Sequence, residues 1–425
     1  MAVAARSGKK RLRSLLQGIN VRKYIEARGG LFARGSIDPI FFTLLVALVV
    51  VGLAMLYSAT YVYAYYYENS STYYLKKQLF AVVLGFILMF AVSHINYRIL
   101  THVAAVAGTL VSWVLIGIAL LMPDYNGTRR YIYGVPIVGQ FQPSDVAKFA
   151  LILTLAAILG ENHDKIASKK PLQGRLAKLV NRICRRPVIN ESFLVIVPAG
   201  IILLVYAGLV ALQSHLSGTV LMLLIGIVLL VLSEARWGWF ALGGIGGGAA
   251  VFAAAKLGLL KSYMQERVTA WLDKDYDPYG KRWQINNALN AVGSGGFFGK
   301  GFSRSTMKHL YVSEPQNDMI FSIVVEELGV FGAACIILLF VLMIWRGVSI
   351  AIKSRDRYGA LVVMGVVFQV GLQMILNILV ATDSLPNTGI SLPFFSYGGT
   401  AILVLLVEMG VVLSVSRTAT VRKRL

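Results

Sequence analysis

The chain has 425 residues, 57% of them hydrophobic and only 14% charged. A soluble domain carries about 25% charged residues, so a water-soluble fold is excluded. Lys and Arg number 41 against 20 Asp and Glu, a net charge of +21. Nucleic-acid binding is not needed to explain that excess, because basic residues on the inner side of a membrane, facing anionic lipid heads, account for most of it.

Residues 1–38 form a basic, Gly-containing arm that reads as cytoplasmic. Apolar runs then recur at Ile40–Tyr57, Gln78–Ile95, Leu100–Met122, Ser144–Gly160, Phe193–Leu212, Leu216–Ser233, Trp237–Leu259, Met319–Trp345, Tyr358–Ala381 and Phe394–Ser416. Each is near the roughly 20 residues that cross about 30 Å of hydrocarbon. The first run begins too late, and is too long, for a cleavable signal, so it is expected to stay as an anchor. The fold class is therefore an all-α polytopic membrane protein of ten helices.

Lysine and arginine counts set the orientation. With the N-terminus inside, cytoplasmic segments hold 27 of them and the short external loops only Lys76, Lys77, Arg129 and Arg130. Both termini are then cytoplasmic, and the long loop between helices 7 and 8, residues 260–318, lies outside. Residues 161–190 read as a basic cytoplasmic connector with a surface helix near Leu172–Cys184, and 419–425 as a basic tail. Cys184 and Cys335, inside the eighth run, cannot meet, so no disulfide or paired-cysteine metal site is expected.

Two stretches break the helical pattern. Gly243-Gly244-Ile245-Gly246-Gly247-Gly248 suits close helix approach. Leu385 to Gly399 is apolar but holds two prolines and three glycines. Irregular backbone at membrane depth survives only inside protein or along a cavity, so this segment reads as re-entrant or cavity-lining, with a tight turn as the alternative.

Ionisable groups inside spans cost at least about 2.5–3.5 kcal/mol each at the bilayer centre, which makes them functional candidates. They are Asp145 and Lys148, Glu326 and Glu327, and Glu408, with Lys256 near enough to an end to snorkel. Asp145 and Lys148 share a helix face and follow Phe141-Gln142-Pro143-Ser144, where Ser144 could cap. The bland reading is a local ion pair; with Arg129 and Arg130 nearby, a cationic site for a phosphate or pyrophosphate is the functional one. Asp318 ends the long loop in Ser313-Glu314-Pro315-Gln316-Asn317-Asp318. It reads either as an ordinary acidic helix start or as a general base. His102 reads as a packed core residue. Asp273-Lys274-Asp275-Tyr276-Asp277 lacks the glycine and glutamate of a calcium loop, and Gly299-Lys300 lacks the rest of a phosphate-binding loop.

Five segments, in order, resemble the SEDS family (shape, elongation, division and sporulation) of peptidoglycan glycosyltransferases. They are Phe141-Gln142-Pro143-Ser144-Asp145-Val146-Ala147-Lys148; Asp277-Pro278-Tyr279-Gly280 with Gln284; Gly293-Ser294-Gly295-Gly296 through Gly299-Lys300-Gly301; Asn317-Asp318-Met319-Ile320-Phe321 with Glu326-Glu327-Leu328-Gly329; and Ser396-Tyr397-Gly398-Gly399. The likeness spans residues 39–418. It implies a ten-helix membrane enzyme that polymerises lipid II into a growing glycan chain at the outer face of the cytoplasmic membrane and releases undecaprenyl pyrophosphate. Asp318 is the implied catalytic base. Arg130, Lys148, Asp145, Lys300, Ser396, Tyr397 and Gly398 are the implied substrate-binding residues.

The resemblance also implies a class B penicillin-binding protein as partner and allows magnesium or manganese, although no ligand set can be named. The Leu385-Pro386 to Pro393 stretch looks more like the division or sporulation branch than the elongation branch. His215 stands where the family often has an acid, Asp145 replaces a commoner glutamate, and Tyr131 a frequent tryptophan. A lipid II flippase and a non-catalytic scaffold are the competing readings.

Overall fold

A computed structural model of the protein describes residues 30–123, 128–135, 139–168, 170, 190–235, 239–240, 262–280 and 282–420. The arm up to residue 29, the Leu172–Cys184 surface helix, the Gly243–Gly248 run with most of the seventh apolar stretch, Lys256 and residues 421–425 lie outside them, as does the side chain of His102.

Nine of the ten apolar runs are helices. In chain order these are α1 (Pro39–Glu68), α2 (Tyr73–His94), α3 (His102–Leu121), α4 (Pro143–Glu161), α6 (Phe193–Leu212), α7 (Leu216–Leu232), α10 (Ile320–Ile352), α11 (Arg357–Ala381) and α12 (Gly399–Thr420). Eight of them have membrane-crossing length and composition; α7 is one residue shorter than that threshold of 18. Phe80, Val83 and Ile87, three and four residues apart, are exposed along one face of α2. Such an unpartnered apolar stripe suits hydrocarbon rather than water.

Helix ends follow local chemistry. Asp38 caps α1, its carboxylate accepting from Phe41 N at 3.0 Å, with Pro39 in the first turn. Arg346 grips the same carboxylate with Nε and a terminal nitrogen at 2.9 and 2.7 Å, tying α1 to the far end of α10. The first helix runs eleven residues past the expected Tyr57, because Tyr61 to Tyr67 continue it as an aromatic collar in which Tyr65, Tyr66 and Tyr67 are exposed. Ser144 does not cap α4: Gln142 holds the cap position, and Ser144 lies buried in the first turn. The last span starts five residues later than expected, since Phe394 to Gly398 remain irregular.

The all-α expectation needs one amendment. Strands β1 (Ile132–Val135) and β2 (Gly139–Phe141) pair antiparallel just before α4, with a bulge at Gly134, whose φ is +75°. The long loop before α10 holds α8 (Ser262–Leu272) and α9 (Trp283–Gly295), and α5 (His163–Ala167) is a single turn after α4.

The strongest tie between loop and bundle is a break in α10. Gly329 has φ +70° and ψ −176°, so the helix opens there. The carbonyls of Glu326 and Glu327 accept from the amides of Lys300 and Gly301, both at 2.9 Å. The amides of Val330 and Phe331 donate to Gly296 and Phe297 at 3.1 and 3.0 Å. A helix break buried in apolar surroundings would orphan these groups; the loop supplies their partners.

Candidate functional site

Asp318 sits two residues before α10 and is half-buried. Its backbone is fixed by Asn377 of α11, whose Nδ2 donates to the Asp318 carbonyl and to the Ile390 carbonyl, both at 2.7 Å. Its Oδ1 accepts from Gln284 Nε2 of α9 at 3.2 Å. Opposite the carboxyl lies Gly389, where an added Cβ would stand 3.8 Å from Oδ2.

The segment from Leu385 to Gly398 is irregular backbone that packs into the bundle and lines a cavity, not a tight turn. Phe394 lies so close to α1 that a Cβ on Gly52 would meet its carbonyl oxygen at 2.3 Å. Ser396 Oγ donates to the Asn317 carbonyl at 2.6 Å and accepts from Leu392 N at 2.8 Å. Tyr397 N donates to the Gln316 carbonyl at 2.7 Å. Gln78 of α2 closes the fold, with Nε2 on the Ser396 carbonyl at 3.3 Å and Oε1 accepting from Gly398 N at 3.2 Å. Thus Ser396, through its hydroxyl, and Tyr397, through its backbone N–H, hold the stretch that carries Asp318, while Gly398 is itself held by Gln78.

Asp145 and Lys148 form an ion pair of 2.8 Å with both side chains about nine-tenths buried. They line a cavity of about 30 Å³ together with Gln369, Ser391, Ser396 and Glu408. Ser396 therefore links this cavity to the Asp318 backbone. Glu408 is fully buried and accepts from Gln369 Nε2 at 2.9 Å.

Arg130 places its guanidinium over Tyr131, 5.2 Å from the ring centre, and its buried Nε makes no hydrogen bond among the described residues. Arg129 turns back toward the Leu120 carbonyl at 3.4 Å. Burial raises the Asp318 carboxyl above the usual range, Glu314 adds to this, and Arg267 and Arg130 oppose it. His215 is driven down to about 3, first by burial and then by Arg130, Lys148 and Arg267. It is a neutral imidazole whose Nδ1 lies 3.4 Å from Ser144 Oγ. A carboxyl raised by burial, with Arg267 and Arg130 near enough to act on it, is the electrostatic setting that proton abstraction requires.

Lys300 is placed differently. Its ammonium binds Glu326 at 2.7 Å and meets Thr306 Oγ1 at 3.3 Å, and no contact among the described residues joins it to Asp318. Glu326 also accepts from Ser294, Ser305 and the amides of Thr306 and Met307. Glu327 accepts from Ser58 at 2.6 Å, Ser303 N at 3.0 Å and Lys308 Nζ at 2.8 Å. Both glutamates anchor the loop, and Lys300 belongs with them. Among the described residues no group of three or more His, Cys, Asp or Glu gathers at one point.

Sequence reasoning missed the amides. Asn377, Asn387 and Gln78 sit in or beside apolar runs, and a search for charges passes over them; polar glue between membrane helices is the signal that finds them. Gln284 was visible only as part of a motif.

The model of a family described as cell cycle protein, covering FtsW, RodA and SpoVE, matches residues 39–421. Stage V sporulation protein E of Bacillus subtilis (strain 168) is 34% identical, aligned across 90% of this chain and 97% of that protein. A probable peptidoglycan glycosyltransferase FtsW of Geobacter sp. (strain M18) is 30% identical, over 89% and 96%. Among solved structures, a chain from a peptidoglycan synthase complex that coordinates polymerization and crosslinking superposes with a TM-score of 0.68 at 25% identity, covering 90% of this chain and 98% of its own. The rod shape determining protein RodA of Thermus thermophilus gives 0.59 at 24% identity, over 90% and 97%.

Proposed function

Since the chain belongs to the FtsW, RodA and SpoVE family and is a multi-pass protein of the cytoplasmic membrane, we propose that it is a peptidoglycan glycosyltransferase. It joins lipid II to a growing glycan chain at the outer face and releases undecaprenyl pyrophosphate. Both termini are then cytoplasmic, as the lysine and arginine bias requires.

The observation that carries this reading is the Asp318 carboxyl, raised by burial, with its own carbonyl held by Asn377 and the carbonyl of the preceding Asn317 held by Ser396. In the proposed step the C4 hydroxyl of the acceptor sugar loses its proton to Asp318 as its oxygen attacks the anomeric carbon of the donor. The bond from that carbon to the pyrophosphate oxygen breaks, and charge grows on the leaving group. Arg130, with no carboxylate partner among the described residues, is suited to receive it; a preset cation stabilises charge that develops in the transition state. Lys148, balanced by Asp145, lines the small cavity beside Ser396.

The flippase reading needs mobile intramembrane carboxylates. Among the described residues Glu326 and Glu327 are saturated by donors of the loop and of α1 and Asp145 is paired with Lys148, which leaves Glu408 for such a role. The relative solved within a peptidoglycan synthase complex supports a class B penicillin-binding protein as partner. Purified protein given labelled lipid II should make long glycan, and Asp318→Asn should abolish this with folding intact. Transfer of lipid II between leaflets without polymer would favour the flippase instead.

A further inference from the structure

A chain of amides leads to one oxygen of Asp318. It starts from a group that cannot turn round: the backbone N–H of Gly389 donates to Asn387 Oδ1 at 3.2 Å. That fixes which way the Asn387 carboxamide faces, and its Nδ2 donates to Gln284 Oε1 at 3.2 Å. The Gln284 nitrogen must then face the other way. It donates to Asp318 Oδ1 and to the Ser313 carbonyl, both at 3.2 Å, so both of its hydrogens are used. Arg267 secures the start of the chain by holding the Asn387 carbonyl at 2.8 Å.

We infer that Gln284 is a positioning residue for Asp318, oriented by Asn387, and that Oδ2 is the oxygen that accepts the substrate proton. Oδ1 is occupied by an amide donor. Oδ2 accepts no hydrogen bond among the described residues, and it lies beside Gly389, where an added Cβ would stand 3.8 Å away; it is therefore the oxygen left for a substrate hydroxyl. Gly389 has φ +72°, a left-handed backbone that glycine adopts without a Cβ clash. The inference rests on the glycosyltransferase reading and says how its base is aimed.

An amide hydrogen bond favours the charged carboxylate, so losing it raises the Asp318 pKa. The base must be ionised to act, hence activity is lost on the acid side. The groups that set this titration are Glu314, which raises it, and Arg267 and Arg130, which lower it; none is altered by changing Gln284.

The test is the pH profile of lipid II polymerisation by the purified full chain. In Gln284→Ala the acid limb should move up by about half a pH unit, with KM for lipid II unchanged. The isosteric Gln284→Glu, which offers a repelling carboxylate, should move it further, and Asn387→Ala should fall between parent and Gln284→Ala. Should Gln284→Ala fail to fold, Gln284→Glu decides the matter. A parent-like acid limb in Gln284→Glu and Asn387→Ala, with Asp318→Asn inactive, overturns the positioning role and leaves the enzyme reading standing. Parent-rate polymerisation by Asp318→Asn removes the reading itself.

Discussion

Lys308 Nζ lies 2.8 Å from Glu327 Oε1, and neither side chain has any solvent exposure. The pair joins the long loop before α10 to that helix, and Ser58 of α1 adds a hydrogen bond to Glu327 at 2.6 Å. Breaking a buried ion pair from one side strands a charge and costs about 3–5 kcal/mol. Lys308→Met should therefore lower the thermal stability of the detergent-purified protein strongly. Lys308→Met combined with Glu327→Gln should recover part of the loss. A double variant as unstable as the sum of the singles would mean that the two residues do not act as a pair.

Gly329 and Gly299 meet where the loop enters the break in α10. A Cβ on Gly329 would stand 2.3 Å from Gly299 N, and one on Gly299 would stand 2.2 Å from Glu327 O. Both residues also have positive φ, +70° and +78°. Either substitution by alanine must displace backbone, so each should cost well over 1 kcal/mol and reduce the yield of folded protein. Gly200 on α6, with nothing within 4 Å of an added Cβ, is the control. Gly200→Ala should be neutral or slightly stabilising in the same melt.

That break shows where sequence reading stops. The spans were legible because hydropathy is a property of the local run, and Asp318 stood out because a carboxylate ended a polar loop. Glu326-Glu327-Leu328-Gly329 reads as uninterrupted helix; only pairing with residues about thirty positions earlier opens it. The partner of Lys300 is hidden for the same reason, Glu326 being 26 residues away. Apolar composition also located the span ending at Ser416 too early, because Phe394 and Phe395 pack on Phe340 from irregular backbone rather than from a helix.

His215 gives a pH prediction of definite sign. Its folded pKa of about 3 lies below the ordinary 6.5. Between those values the unfolded chain binds a proton that the folded chain refuses. Its contribution to stability is thus present above about pH 6.5 and declines as pH falls, by up to about 1.4 kcal/mol per unit. Replacing it with glutamine should flatten the fall of Tm between pH 6.5 and 5. Identical slopes for parent and His215→Gln would show that the imidazole protonates in the folded state after all.

Arg130 is the cation proposed to take the leaving pyrophosphate. Arg130→Ala should cut polymerisation by about ten- to a hundredfold through kcat, because the lost contact strengthens only as charge develops. Arg130→Lys should restore part of this, since an ammonium keeps the charge but not the planar fork. A loss confined to KM would assign Arg130 to ground-state binding.

Asn377 tests whether the Asp318 backbone must be held. Its Nδ2 is shared between the carbonyls of Asp318 and Ile390, which lie on separate segments, and its side chain is fully buried. Asn377→Asp keeps the shape but replaces the donor with an oxygen facing two carbonyl oxygens. An ionised carboxylate there would be repelled, and a protonated one could serve only one of the two carbonyls. One clamp must therefore open, and with it the spacing between Asp318 and the Gly389 turn. The expected result is a protein that still inserts and folds but has lost most polymerisation. Asn377→Leu, which supplies no donor to either segment, should be at least as inactive and less stable, because two buried carbonyls then lose their partner. Full activity in both variants would mean that the Ser396 and Tyr397 contacts on the preceding residues suffice to hold the base.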